Sequence, residues 1–96
     1  MTIEKNLNGT ELTINIAGRL DTATAPQLEG ELSASYAGIE KLILNFADLE
    51  YISSAGLRQI VAAYKMMHGN MTLRNVPGEI MDIIRMTGVD KRMKFE

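Results

Sequence analysis

Two adjacent serines, Ser53 and Ser54, are the residues of this chain best placed to carry chemistry. They stand where the apolar run Leu42-Ile43-Leu44-Asn45-Phe46 gives way, through Asp48-Leu49-Glu50-Tyr51-Ile52, to an amphipathic stretch. A serine hydroxyl can be a nucleophile, a helix cap or a phosphate acceptor, and its neighbours decide which. A nucleophile needs a base within about 3 Å. His68 is the one histidine in the sequence. On a shared helix, at 1.5 Å per residue, it would lie about 21 Å from Ser54. It reads instead as a residue near a helix end, where a positive charge is mildly favourable. Ser54 also lacks a Gly-x-Ser-x-Gly elbow, because Ile52 occupies the position of the first glycine. With no cysteine and dispersed acids, the sequence offers no metal set and no calcium-loop spacing. A phosphate-cradling Gly-x-x-x-x-Gly-Lys-Ser/Thr loop is missing too. The expectation is a protein that is not an enzyme, with no catalytic residue, no metal and no cofactor. Capping or phosphorylation then remains for the two serines.

The elements that must position them follow from periodicity. Leu42 to Phe46 is a near-continuous apolar run, which suits a strand at 41–46 buried on both faces. Leu57, Ile60, Val61, Tyr64 and Met67 or His68 recur at helical spacing, predicting a helix from about 54 to 68 that ends at Gly69-Asn70. The serines therefore fall where the first N–H groups of that helix lack partners. A phosphate there would meet the positive end of the helix dipole. Ala55 and Gly56 would be small because the helix start packs closely under a neighbouring loop. Met66, not needed for the buried face of this helix, could offer an adaptable thioether to a protein partner.

Earlier in the chain, residues 2–7 and Thr10–Ile16 read as strands joined by Asn8-Gly9, a two-residue hairpin signal, with Gly18 ending the second strand. Thr24-Ala25-Pro26-Gln27 predicts a helix start, with Thr24 as cap and Gln27 reaching back. Ala25, Leu28, Leu32 and Tyr36 mark its buried face, and Gly38 its stop. Gly30 weakens it unless something packs closely against it. Later, Met71–Val76 reads as a strand. Pro77 opens a third helix carrying Ile80, Ile83, Ile84 and Thr87, Gly88 closes it, and the tail at 92–95 reads as a short edge strand. The order predicts an α/β fold: a mixed sheet of four to five strands, opened by an antiparallel hairpin and continued by parallel strands with right-handed helical crossovers.

Ninety-six residues suit one domain, residues 1–96. A chain of this size buries roughly 60–65% of the surface its unfolded form exposes. A net charge of −2 provides no basic stripe for nucleic acid. No apolar run approaches the roughly 20 residues of a membrane span. Met1–Lys5 lacks the regions of a signal peptide. A soluble cytoplasmic protein is expected, with a monomer as the simplest state.

Leu42 to Leu57, with Asp-Leu-Glu-Tyr-Ile-Ser-Ser-Ala-Gly-Leu at its end, resembles the central segment of the STAS domain, the fold of bacterial anti-sigma factor antagonists. Gly18-Arg19-Leu20-Asp21 is similar to that family's Gly-x-Leu-Asp loop, and Thr24-Ala25-Pro26 to its helix opening. Element order and length agree, so the resemblance covers essentially the whole chain and implies a STAS-like fold. Matching on Gly56-Leu57 puts the family's phosphorylated serine at Ser54, with Ser53 as a second acceptor. Ser53 stands where the motif has Asp, Ala55 where it has Ser or Thr, and Asn45 where it has a strand-end Asp. The resemblance implies that the unphosphorylated protein binds an anti-sigma factor that is also a serine kinase, freeing its sigma factor. The kinase would phosphorylate Ser54 and a metal-dependent serine phosphatase would reverse it. The implied partner surface takes Asp21 and Thr22 from one loop, Tyr51, Ser53 and Ser54 from the junction, and Ala55, Gly56 and Arg58 from the helix. The alternative is a constitutive STAS scaffold subunit of a transporter ATPase or signalling assembly, without a phosphoserine switch.

Overall fold

The computed structural model describes residues 1–96. Its sheet begins with β1 (Thr2–Asn8) and β2 (Glu11–Leu20), paired antiparallel with Asn8 opposite Glu11. The turn residues are thus Gly9 and Thr10, one position later than Asn8-Gly9. Only Gly9 has a positive φ (64°), which suits the type of hairpin turn that needs glycine at its first central position alone. The register puts Leu12, Ile14 and Ile16 on one buried face, and a one-residue slip would send all of them to the other.

Helix α1 (Ala25–Ser35) connects β2 to β3 (Lys41–Asn45), which pairs parallel to β2 with Leu12 opposite Leu42 and Ile14 opposite Leu44. Gly18 does not end β2. The strand bulges between Gly18 (φ 94°) and Arg19, then continues to Leu20 against a new parallel partner, β4 (Leu49–Ile52). The segment read as a junction therefore contains a strand. Its four residues are too few to show periodicity, and only its ends, Leu49 and Ile52, are buried. Helix α2 (Ser54–Met66) follows, then β5 (Met71–Arg74), which pairs parallel to β3 and stops short of Val76. Asn75 turns the chain there with a positive φ of 55°. Helix α3 (Gly78–Met86) and a 3-10 turn (Val89–Lys91) lead to β6 (Lys94–Phe95), parallel to β5. The strand order β1-β2-β3-β5-β6, with β4 beside the end of β2, makes the expected mixed α/β sheet with one additional short strand.

All three helices bury their apolar stripes in one cluster against the Leu12, Leu42 and Met71 face of the sheet. Helix α1 contributes Ala25, Leu28 and Leu32, α2 contributes Leu57, Ile60 and Ala63, and α3 contributes Ile80 and Ile84. Met67 is buried just beyond α2, whereas His68 is exposed and Thr87, expected on the α3 face, is exposed at its C-terminus. The Thr87 hydroxyl instead donates to the Ile84 carbonyl at 2.7 Å. On the other face of the sheet Asn45 donates to Asn15 (2.8 Å) and accepts from Asn75 (3.1 Å), tying the carboxyl ends of β3 and β5 to the middle of β2. The Asn45 side chain also accepts the Ala47 N–H (3.1 Å), which steers the tight turn from β3 into β4 and so toward the serines.

Candidate functional site

The site forms where β2 and β4 both end and α1 and α2 both begin. The Ser53 N–H donates to the Leu20 carbonyl at 2.9 Å, which locks the two exits side by side. Gly56 completes the contact. A Cβ on it would stand 2.7 Å from Leu20 Cγ, 2.9 Å from Ile52 Cγ1 and 3.0 Å from the Leu20 carbonyl oxygen. The helix start is closely packed at Gly56, as expected, but against the ends of β2 and β4 at Leu20 and Ile52 rather than under a loop.

The two serines have separate jobs. Ser53 is the N-cap: its backbone is extended (φ −101°, ψ 175°), and its hydroxyl accepts the Gly56 N–H at 3.3 Å while its carbonyl accepts from Leu57 at 2.9 Å. It is half-buried. Ser54, the first helical residue, is exposed, and no hydrogen bond in the structure involves its side chain. It opens on a groove of about 470 Å³ between α2 and the segment after α3, lined by Leu57, Arg58, Val61, Lys65, Thr87 and Val89 among others.

The other helix start is organised differently. Thr24 makes no side-chain cap bond to α1, and Gln27 does not reach back. Instead Asp21 and Thr24 form a reciprocal pair one turn earlier. The Asp21 carboxylate accepts the N–H groups of Ala23 (3.0 Å) and Thr24 (3.1 Å), while the Thr24 hydroxyl oxygen accepts the Asp21 N–H (2.9 Å). The backbone bond from Ala25 N–H to the Asp21 carbonyl (2.8 Å) already has helical spacing. The Thr24 backbone N–H chiefly holds the Asp21 carboxyl below the usual carboxylate range. Partial desolvation opposes it, and the Thr24 hydroxyl, the Ala23 N–H and the Arg19 charge assist.

Arg19 is the neighbour that sequence reasoning passed over. Its guanidinium lies 4.4 Å from the centre of the Tyr51 ring and 3.7 Å from the Asp21 carboxylate, so it bridges both exits. The signal for it was β4 itself, because Arg19 and Tyr51 are opposite residues in the β2–β4 ladder. Of the residues expected at the site, Thr22, Tyr51, Ser54 and Arg58 are exposed, Asp21, Ser53 and Ala55 are half-buried, and Gly56 is buried. Met66 is exposed (57%) but lies at the opposite end of α2. It borders a different groove with Leu32 and Tyr36, so it does not adjoin Ser54.

The family model for the STAS domain matches residues 2–96. This chain belongs to the STAS domain family. It is similar, at 39% identity over 67 residues, to the Bordetella bronchiseptica protein BtrV, described as a candidate anti-sigma factor antagonist. That match covers 69% of this chain and 53% of BtrV, so it spans about half the length of that relative. It is 27% identical over 90 residues to the anti-sigma-B factor antagonist of Bacillus subtilis, covering 91% of this chain and 83% of that one. In structure it resembles the Bacillus cell fate determinant SpoIIAA in its phosphorylated form, with a TM-score of 0.77 and 17% identity over 99% of this chain and 91% of SpoIIAA. The STAS fold is thus shared across the whole length. No helix of this STAS chain is long and apolar enough to cross a membrane.

Proposed function

We propose that this STAS protein is a cytoplasmic anti-sigma factor antagonist. Its unphosphorylated form binds an anti-sigma factor that is also a serine kinase, releasing the sigma factor. Phosphorylation at Ser54 switches it off, and a serine phosphatase restores it. The observation that carries this reading is the division between the two serines: the Ser53 hydroxyl is committed to capping, whereas Ser54 is exposed and unbonded. Ser54 is accordingly preferred over Ser53 as the acceptor. The names of the relatives, and the phosphorylated state described for SpoIIAA, support the same reading.

A phosphate adds about −1.5 to −2 charges at neutral pH. The first turn of α2 contains no acidic residue, and the helix dipole favours an anion there, so the domain tolerates the change. A partner packed over Asp21, Thr22, Tyr51, Ser54 and Arg58 would have to desolvate that charge. The switch therefore works at the interface, with little change in fold. Ser53 in place of the family's Asp favours a second reading, a constitutive STAS scaffold that is never phosphorylated. The two readings separate by incubating the protein with ATP and kinases from its source, then weighing it intact and mapping any phosphate by fragmentation. The switch predicts one phosphate, on Ser54, and loss of partner binding in Ser54→Asp with retention in Ser54→Ala. An active cognate kinase that leaves Ser54 unmodified would falsify it in favour of the scaffold.

A further inference from the structure

We infer that Arg58 is the clamp for a phosphate carried on Ser54, an assignment that rests on the switch proposed above. Arg58 lies four residues after Ser54 on α2, a spacing that brings Cβ atoms within about 5–6 Å on one helix face. Helical side chains lean toward the N-terminus, so this spacing puts Ser54 within the reach of the Arg58 side chain. Both residues are exposed and border the same groove. Arg58 takes part in none of the three ion pairs of the molecule, which join Lys5 to Glu31, Arg19 to Asp21 and Arg74 to Glu96.

The groove is also one-sided in charge. Its lining includes Arg58 and Lys65, with Arg92 farther along beside Val61 and Val89, and it includes no carboxylate. The other cations are poorly placed to compete. Lys65 is eleven residues from Ser54, about 16 Å along the helix. Arg19, on the β2 side, is held over Tyr51 and against Asp21. Acids on the elements packed around this helix would repel a phosphate, among them Asp21 before α1, Glu29 on α1, which accepts from Gln59 at 3.2 Å, and Glu50 on β4. Arg58 is therefore the one unengaged cation within reach, and its planar fork suits two phosphate oxygens at once. Phosphorylation then alters the surface twice: it adds an anion, and it draws back the guanidinium that the unphosphorylated protein presents to its partner.

The test uses the full chain with phosphoserine installed at position 54 during translation, so no kinase is involved. The phosphorus resonance is titrated in the wild-type background and in Arg58→Gln, Arg58→Lys and Lys65→Gln, with circular dichroism as the check on fold. Loss of the clamp is expected to raise the second ionisation midpoint of the phosphate by about 0.2–0.4 pH unit in Arg58→Gln, the size of an i,i+4 ion pair. Arg58→Lys should recover part of the shift and Lys65→Gln should match wild type. The Arg58 side-chain Nε resonance should move on phosphorylation. An unchanged midpoint in Arg58→Gln, with that resonance unmoved, would assign the phosphate to the helix dipole alone and overturn the clamp. Equal shifts in Arg58→Gln and Lys65→Gln would overturn it as well, showing only a diffuse groove potential. A failed clamp leaves the kinase assay untouched, and a failed kinase assay leaves this titration untouched.

Discussion

The starts of α1 and α2 sit side by side, joined through Leu20, yet they use their polar groups in opposite ways. At α1 the Asp21 carboxylate and Thr24 hydroxyl are tied to each other and to nearby backbone groups. At α2 one hydroxyl, on Ser53, does the capping and the next, on Ser54, does nothing within the chain. Of the four N–H groups that a helix start leaves without partners, the Ser53 hydroxyl takes one at α2. A second hydroxyl left free on the surface is not needed by the fold, and the switch proposed for Ser54 rests on that contrast. The two helices differ in the same way in their glycines. Gly56 has no room for a Cβ, whereas Gly30 of α1 has no atom within 4 Å of where one would go.

The largest effect is expected where this contrast is steric. Gly56→Ala forces a methyl group against the Leu20 carbonyl, a backbone atom that cannot rotate aside, and should destabilise by about 1–3 kcal/mol in urea unfolding. Next comes the cap. Ser53→Ala should cost about 1 kcal/mol and lower the melting midpoint by roughly 4–8 °C. Ser54→Ala in the same assay should stay within about 0.5 kcal/mol. Equal losses in the two serine variants would erase the distinction drawn between them. Gly30→Ala should raise stability by about 0.5–1 kcal/mol, opposite in sign to Gly56→Ala. The smallest effect concerns pH. The Asp21 carboxyl has a lowered pKa in the folded state, so its contribution is full above the unfolded value of about 3.9 and is lost as pH falls through the folded value. The gap in melting midpoint between wild type and Asp21→Asn should accordingly hold from pH 7 to 5 and close below about pH 4. A gap that stays constant into strong acid would remove charge from the account of that turn.

Much of this was legible in the residues. Leu42–Phe46 and the helical spacing of Leu57, Ile60 and Val61 locate β3 and α2 because burial imposes a period on any chain that forms them. The Ser-Ser-Ala-Gly-Leu junction and the Gly-Arg-Leu-Asp loop point to the STAS family by resemblance alone, since any helix start favours small or polar residues. Short-range competition was harder to read. Asn8-Gly9 and Gly9-Thr10 both satisfy a hairpin, and only the pairing of β1 with β2 selects between them. Thr24 stands at the cap position of α1 but caps nothing there, because its hydroxyl is engaged with the Arg19 carbonyl and the Asp21 N–H. Likewise β4, the Arg19–Tyr51 contact and the need for glycine at 56 arise between segments some thirty residues apart. Sequence by itself determined the elements other than β4, and that hydroxyls crowd one helix start, since those follow from local periodicity and composition. Only the tertiary structure decided which hydroxyl is left free, because the bond from the Ser53 N–H to the Leu20 carbonyl on a distant strand holds Ser53 extended at the cap position and leaves Ser54 as the first helical residue.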